Sequence, residues 1–305
     1  MTKRQKIAIG AVLAAPIVLG IVLMSVNSGP GASKFSSFSS HKVGLVQVSD
    51  VIYSSEDYVK QLRDLREDDA VAGVILRVDS PGGAVAPSQE VFEEVMKFRD
   101  IKKPLVVSMG NLAASGGYYI SSPAFKIFAN PGSVTGSIGA IMSFPHYYKL
   151  LNKIGVDIEV IKAGELKDVG SPHRESTPRE KAYLQTMLND IHNQFIEDVS
   201  RARSIDIDSL RPIADGRIFT GRQALLAGLV DTLGSYEDAL SYLKEYLGLP
   251  DKTGVIEKKK PESFLKRMLY DELFNKFPLL KRASAIASSA APSVGPYFLF
   301  DMSVR

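Results

Sequence analysis

The run Ala113-Ala114-Ser115-Gly116-Gly117 contains one side chain able to attack an electrophile, the hydroxyl of Ser115. Leu105, Val106 and Val107 before it are apolar and mostly β-branched, and read as a buried strand. Gly110-Asn111 reads as a sharp turn, and the small residues after it could open a helix. At a strand-to-helix turn a serine hydroxyl is lifted out of the sheet. The first helical N–H groups beside it favour a developing negative charge. The same run also suits a Gly-rich turn with a solvated serine.

A second glycine pair sits in Asp79-Ser80-Pro81-Gly82-Gly83, straight after the apolar run Val71 to Val78. Adjacent glycines leave N–H groups free to bind an oxyanion or a peptide carbonyl. GSVTGSIGA (132–140) has the glycine density of a backbone packed closely against something. It is no phosphate loop, because no Lys follows in the required pattern, and no GxGxxG with a following acid occurs, so nucleotide binding is disfavoured. The four histidines, His41, His146, His173 and His192, are scattered without metal-ligand spacing. The absence of cysteine excludes disulfides and thiolate sites. No metal and no cofactor is expected.

Positioning these residues requires strands and helices in alternation. Lys42–Val48 and Val71–Val78 read as strands, Ser55–Arg66 and Ser88–Arg99 as helices, and Phe125–Phe128 and Val156–Ile161 as further strands. Thr177-Pro178-Arg179-Glu180 predicts a capping box opening a long helix, on which Leu184, Met187, Leu188, Ile191, Phe195 and Val199 share one buried face. His192 and Glu197 read as its solvated side. Residues 215–231 read as a turn, a short helix capped by Thr220, and a strand from Leu229. Ser235, with Asp238 three residues on, caps a last helix to Tyr246. The pattern implies an α/β class built of βαβ units with parallel strands.

The chain has 305 residues, 45% of them apolar and 23% charged, as in a folded protein. A net charge of +3 without a basic stripe argues against nucleic acid. Ile7–Met24 carries no charge and follows Lys3, Arg4 and Lys6. As a helix it would reach ~27 Å, enough to cross a membrane with the rest of the chain outside. No clear small-x-small site follows it, so residues 1–24 read as an uncleaved signal anchor with a cytoplasmic stub. Residues 25–41 read as a Ser/Gly-rich linker, 42–249 as the folded domain, and 250–305 as an amphipathic segment and flexible tail. Phe264, Leu265, Met268, Leu269, Leu273, Phe274 and Phe277 would share a helical face suited to anionic lipid or to a neighbouring subunit. Ala283–Ala290 is small-residue-rich and could itself enter an active site, to be trimmed or to inhibit.

Five stretches in order, VDSPGG (78–83), NLAASGGYY (111–119), TGSIGA (135–140), GELKDVGSP (164–172) and DGRIFTGRQALLAGLVD (215–231), resemble bacterial signal peptide peptidases of the SppA type. The resemblance spans roughly residues 42–247. It implies a ClpP/crotonase-like spiral of ββα units, with Ser115 as nucleophile and Lys167 as general base. It further implies backbone N–H groups near Gly83 and Gly116 as the oxyanion hole. The single domain looks like the short form, which builds rings in which serine and lysine come from neighbouring subunits. The substrates implied are released signal peptides with small or apolar side chains, met at the outer face of the cytoplasmic membrane of a bacterium.

The chemistry has conditions of its own. A serine needs a base to attack an amide, and no histidine lies in a segment that reads as a strand end beside Ser115. An ordinary lysine is uncharged at pH 7 only about once in 2,500. A lysine base therefore needs a dry setting without a facing carboxylate. Leu166 and Val169 suit that setting, whereas Glu165 and Asp168 must point away. Ser137 is a candidate to orient the amine. The competing readings are a Ser/Lys protease of membrane-protein segments, an inactive protease-like membrane scaffold, and an acyl-CoA enzyme. The outward-facing anchor argues against the last.

Overall fold

A computed structural model describes residues 41–258 and the backbone of 297–299. The expected signal anchor, linker, amphipathic face and Ala283–Ala290 lie outside the described residues. Among the described residues no helix is long and apolar enough to cross a membrane.

The first strand, β1 (Lys42–Ser49), runs parallel to β2 (Val71–Ser80), with α1 (Glu56–Glu67) between them. After β2 come β3 (Gly82–Ala84) and α2 (Val85–Asp100), then β4 (Leu105–Ala114) and the short α3 (Gly116–Ser121). Next are β5 (Lys126–Ala129), β6 (Val134–Gly136), α4 (Tyr148–Lys153) and the long α5 (Pro178–Arg203). The remainder is α6 (Ile207–Leu210), β7 (Ile218–Thr220), α7 (Gly221–Leu226), β8 (Thr232–Leu233), α8 (Tyr236–Tyr246), β9 (Val255–Glu257) and β10 (Tyr297–Leu299). In the main sheet the order is β7-β6-β4-β2-β1-β9, with β5 between β4 and β8, and all pairs but β6–β7 are parallel. The mixed α/β, parallel-rich sheet is consistent with a ClpP/crotonase-like peptidase. It continues past Pro250, because β9 pairs with β1.

Both faces of this sheet are covered, as a parallel sheet requires. On one face Val43, Ile75, Val106 and Phe128 pack against Ala239, Leu240 and Leu243 of α8. The larger core on the other face joins Val46, Leu76, Val107 and Met109 to α1, α2, α3 and the second half of α5. In α5 only the C-terminal part of the apolar face, Phe195, Ile196 and Val199, is fully buried, while Leu184, Met187 and Leu188 are half-exposed.

Three expected elements differ. Gly110-Asn111 is not a turn. β4 runs through it, and three of its residues, Gly110–Leu112, stand opposite Asp79 alone. The bulge is held from across the sheet, where Asp79 Oδ1 accepts from the Leu112 N–H at 3.0 Å. A Cβ on Gly110 would stand 2.7 Å from the Asp79 carboxyl carbon, so the site takes glycine. Before the bulge β4 pairs with β5, and after it with β6. The sheet thereby forks on that edge. Val156–Ile161, despite its alternation, forms no strand. Strand geometry needs a hydrogen-bonding partner, and here Val156, Ile158, Val160 and Ile161 are all exposed. The strand expected from Leu229 begins instead at Thr232.

Candidate active site

Ser115 stands between the end of β4 and the start of α3, with φ 53° and ψ −118°. A non-glycine residue in that region is strained by about 1–3 kcal/mol and persists only where its surroundings fix it. Several contacts fix it here. The Ser115 N–H donates to the Gly136 carbonyl at 2.8 Å, and its own carbonyl accepts from the Tyr119 N–H at 2.8 Å. Tyr118 and Tyr119 anchor α3 beneath it. The Tyr118 hydroxyl donates to the Leu229 carbonyl at 3.1 Å. Tyr119 lies between Phe92 and Phe195, with centroid distances of 4.7 and 4.8 Å, and its hydroxyl meets Asp198. Burial pushes both tyrosines up from their ordinary pKa, which keeps them neutral donors.

Against this satisfied frame, the Ser115 hydroxyl oxygen is buried and has no hydrogen-bond partner among the described residues. A buried orphan hydroxyl costs about 1–3 kcal/mol. The fold's own bonding gives no account of it.

The two glycine pairs meet at this turn. A Cβ on Gly116 would lie 3.0 Å from the Gly83 nitrogen and 2.8 Å from Ser88 Oγ, so the backbones touch where any larger residue would intrude. Gly117 is as tightly placed, 2.7 Å from the Ser80 carbonyl oxygen by the same measure. Gly82, at φ 104°, makes the corner after β2 and gives its N–H to Ser80 Oγ at 3.1 Å. Ile52 takes up the neighbouring bonds. It donates to the Gly82 carbonyl and accepts from the Ala84 N–H, each at 2.8 Å. Strand alternation then turns the Gly83 N–H to the opposite edge. The Gly116 N–H, as the first of α3, has no partner within the helix. Ser115's own N–H is already used by Gly136.

On the free edge of β3 lies β10, antiparallel, with Phe298 opposite Gly83 and Leu299 opposite Gly82. β10 also neighbours α2 and α3. An extended backbone thus lies along Gly82–Ala84 in this chain. The sequence offered no short-range signal for it, because the partners are more than 200 residues apart.

Lys167 occupies a different setting. It lies in a turn packed on Phe144 through Gly170, and it is exposed. Among the described residues its amine makes no hydrogen bond or ion pair, so within one chain it is not bonded to the Ser115 hydroxyl. Its flanking acids are each paired with another cation. Glu165 accepts from Arg179 at 2.6 and 2.8 Å, and Asp168 is held by Lys162 and by Arg174, whose Nε donates at 2.9 Å. Hydrogen bonds from Arg174 and then Lys162 hold the Asp168 carboxyl well below the usual carboxylate range. Glu180 is held down to about 2, chiefly by Arg174.

Ser137 follows Gly136 at φ 54° and donates its N–H to the Arg217 carbonyl at 2.8 Å, next to the residue that holds Ser115. His192 is not on a solvated face. It is half-buried, and Nε2 reaches the carbonyls of Ala214 and Ile138 at 2.6 and 3.2 Å, a structural clasp behind the TGSIGA loop. Glu197 is exposed. No group of His, Asp or Glu suited to a metal occurs among the described residues.

Residues 97–249 match the family model described as peptidase family S49. The chain belongs to this family. The S49 match runs from within α2 through α8 and so includes Ser115, Gly116 and Lys167. The "Putative protease slr0021" of Synechocystis sp. is 38% identical over 237 residues, 77% of this chain and 85% of that protein. The "Putative signal peptide peptidase SppA" of Enterococcus faecium is 42% identical over 207 residues, 68% of this chain and 60% of the relative. The "Putative protease MJ0651" of Methanocaldococcus jannaschii is 45% identical over 188 residues, 62% of this chain and 60% of the relative. The chain thus spans about 60% of the length of the last two.

Proposed function

We propose that this S49 chain is a membrane-anchored serine endopeptidase that degrades released signal peptides outside the cytoplasmic membrane. Ser115 is the nucleophile, and the N–H groups of Gly83 and Gly116 receive the oxyanion. Lys167 of a neighbouring copy is the base. The carrying observation is the Ser115 hydroxyl, strained in its backbone, buried and unpartnered among the described residues, at the turn where the Gly116 and Gly83 backbones meet.

The mechanism follows from those groups. An extended peptide adds antiparallel to β3, as β10 does, and its scissile carbonyl lies over the Ser115 turn. The neutral amine of Lys167 takes the hydroxyl proton as Oγ attacks, and the two N–H groups stabilise the tetrahedral oxyanion. The protonated amine then gives its proton to the leaving nitrogen. Water, activated by the same amine, releases the acyl group from Ser115.

A ring brings the lysine in. Leu150, Ile154, Val156, Ile158, Val160 and Ile161 are all exposed apolar side chains, and they adjoin the Lys167 turn in sequence, which suits a contact with a neighbouring copy. A head-to-tail interface there, repeated with a rotation that closes, would build a ring. Fluorophosphonate labelling of the full chain tests the reading. Wild type should label, and Ser115→Ala and Lys167→Ala should not. Co-assembled Ser115→Ala and Lys167→Ala chains should regain roughly a quarter of wild-type activity, because one pairing in four carries both groups. No recovery would place serine and lysine within one chain, and labelling of Lys167→Ala would remove its role.

The chain's own tail sits where the peptide would. Ending the chain before Tyr297 should lower the apparent KM for a peptide substrate several-fold. Comparing the intact mass of wild type with that of Ser115→Ala shows whether the tail is also cut, and identical masses exclude trimming.

A further inference from the structure

The Lys167 turn is fastened to the start of α5 by one side chain. Arg174 donates through Nε to Asp168 at 2.9 Å and through Nη1 to Glu180 at 2.8 Å, with its second terminal nitrogen shared between both carboxylates. Glu180 is buried, and it accepts from the Thr177 N–H at 2.8 Å in the capping box. Arg174 thereby joins the cap of α5 to the residue next to Lys167. The geometry points to Arg174 as a positioning residue for the reaction: it holds the Asp168 carboxylate off Lys167, leaving the amine without an acid to keep it protonated. This inference rests on the reading of Lys167 as the base.

The charges around the turn agree. Each carboxylate from Glu165 to Glu180 has a cation of its own. Glu165 has Arg179, and Asp168 has Lys162 and Arg174. Glu180 has Arg174, and Glu175 stands 3.9 Å from Lys181. The flanking segments also contribute His146, Tyr147, Tyr148, Lys149, Lys153, Asp157 and Glu159 on one side and His173 on the other, and the two acids among them, Asp157 and Glu159, are exposed. Asp168 is the carboxylate adjacent in sequence to the amine, and it is the one gripped from two directions. Its side chain is 13% exposed, against 66% for Glu165. Loss of Arg174 frees the better-shielded acid, the one whose pairing with an ammonium would be strongest.

The test is the pH profile of kcat/KM on a small-residue chromogenic peptide, with the full chain in detergent. Arg174→Gln should move the acid limb up by about one pH unit, a roughly tenfold loss below the limb with little change on the alkaline plateau. Adding Asp168→Asn to Arg174→Gln should return the limb to its wild-type position. A merely structural Arg174 would lower the profile evenly at all pH values, and Asp168→Asn would not restore it. That result overturns the proposal. Lys162→Gln, which removes the other cation from Asp168 without touching the α5 cap, should move the limb the same way by less. It decides the matter if Arg174→Gln does not fold, because an unmoved limb there also overturns the proposal. Lys167→Ala separates the two readings. If it retains activity, the base assignment falls. If it is inactive while the limb stays fixed in the other variants, only the role of Arg174 falls.

Discussion

Around Ser115 the backbone does the holding, and around Lys167 the side chains do. The serine turn is buried, its neighbours are glycines in contact with backbone atoms, and its two tyrosine anchors bond to a carbonyl and to a carboxylate of α5. The lysine turn is exposed, and paired charges secure it. A nucleophile must meet its oxyanion donors within a few tenths of an ångström, which rigid backbone supplies. An amine that must lose a proton requires a particular arrangement of charge, and charged side chains supply that. The two regions therefore differ in what disturbs them, crowding in one and titration in the other.

Crowding should give the larger effect. Gly116→Ala places a methyl group 3.0 Å from the Gly83 nitrogen, between the two proposed donors. The expected loss in kcat is about 10²–10³-fold, with fluorophosphonate labelling slowed in parallel. An alanine variant of near wild-type rate would show that the oxyanion is bound elsewhere.

Titration should separate the regions at low pH. Asp168 and Glu180 have folded-state pKa values below their unfolded ones. Their contribution is therefore present above about pH 4.5 and fades as pH falls toward about 2. Pepsin between pH 4 and pH 2 should cut within residues 162–177 well before residues 105–121. Simultaneous cleavage of both would show that the charges matter equally to each. The smallest effect expected is a gain. Ser115→Gly removes the positive-φ strain and the orphan hydroxyl, and should stabilise the fold by about 1 kcal/mol in urea while abolishing labelling. A loss of stability would mean that the turn is not strained.

The local features of this protein were legible in its sequence. The capping boxes Thr177–Glu180 and Ser235–Asp238 and the Thr220 cap are bonds between residues three apart, and each forms as its spacing implies. Ser115 at a strand-to-helix turn was legible for the same reason. Its left-handed backbone was not, because no neighbour in sequence dictates it. The Gly110–Asn111 bulge depends on Asp79 from another strand, and glycine and asparagine next to each other also spell a turn. Val156–Ile161 has the alternation of a strand, yet alternation specifies only which faces are apolar. The pairing partner has to come from elsewhere. The role of His192 was misread because the carbonyls it clasps lie 54 and 22 residues away.

The exchange of partners along β4 has a consequence for how the molecule tolerates change. The half before Gly110 is registered by β5, and the half leading to Ser115 by β6. A shift in the β5 flank should stop at the fork instead of travelling on to Ser115. Core substitutions at the buried far end of the strand should therefore cost stability before they change the aim of Ser115.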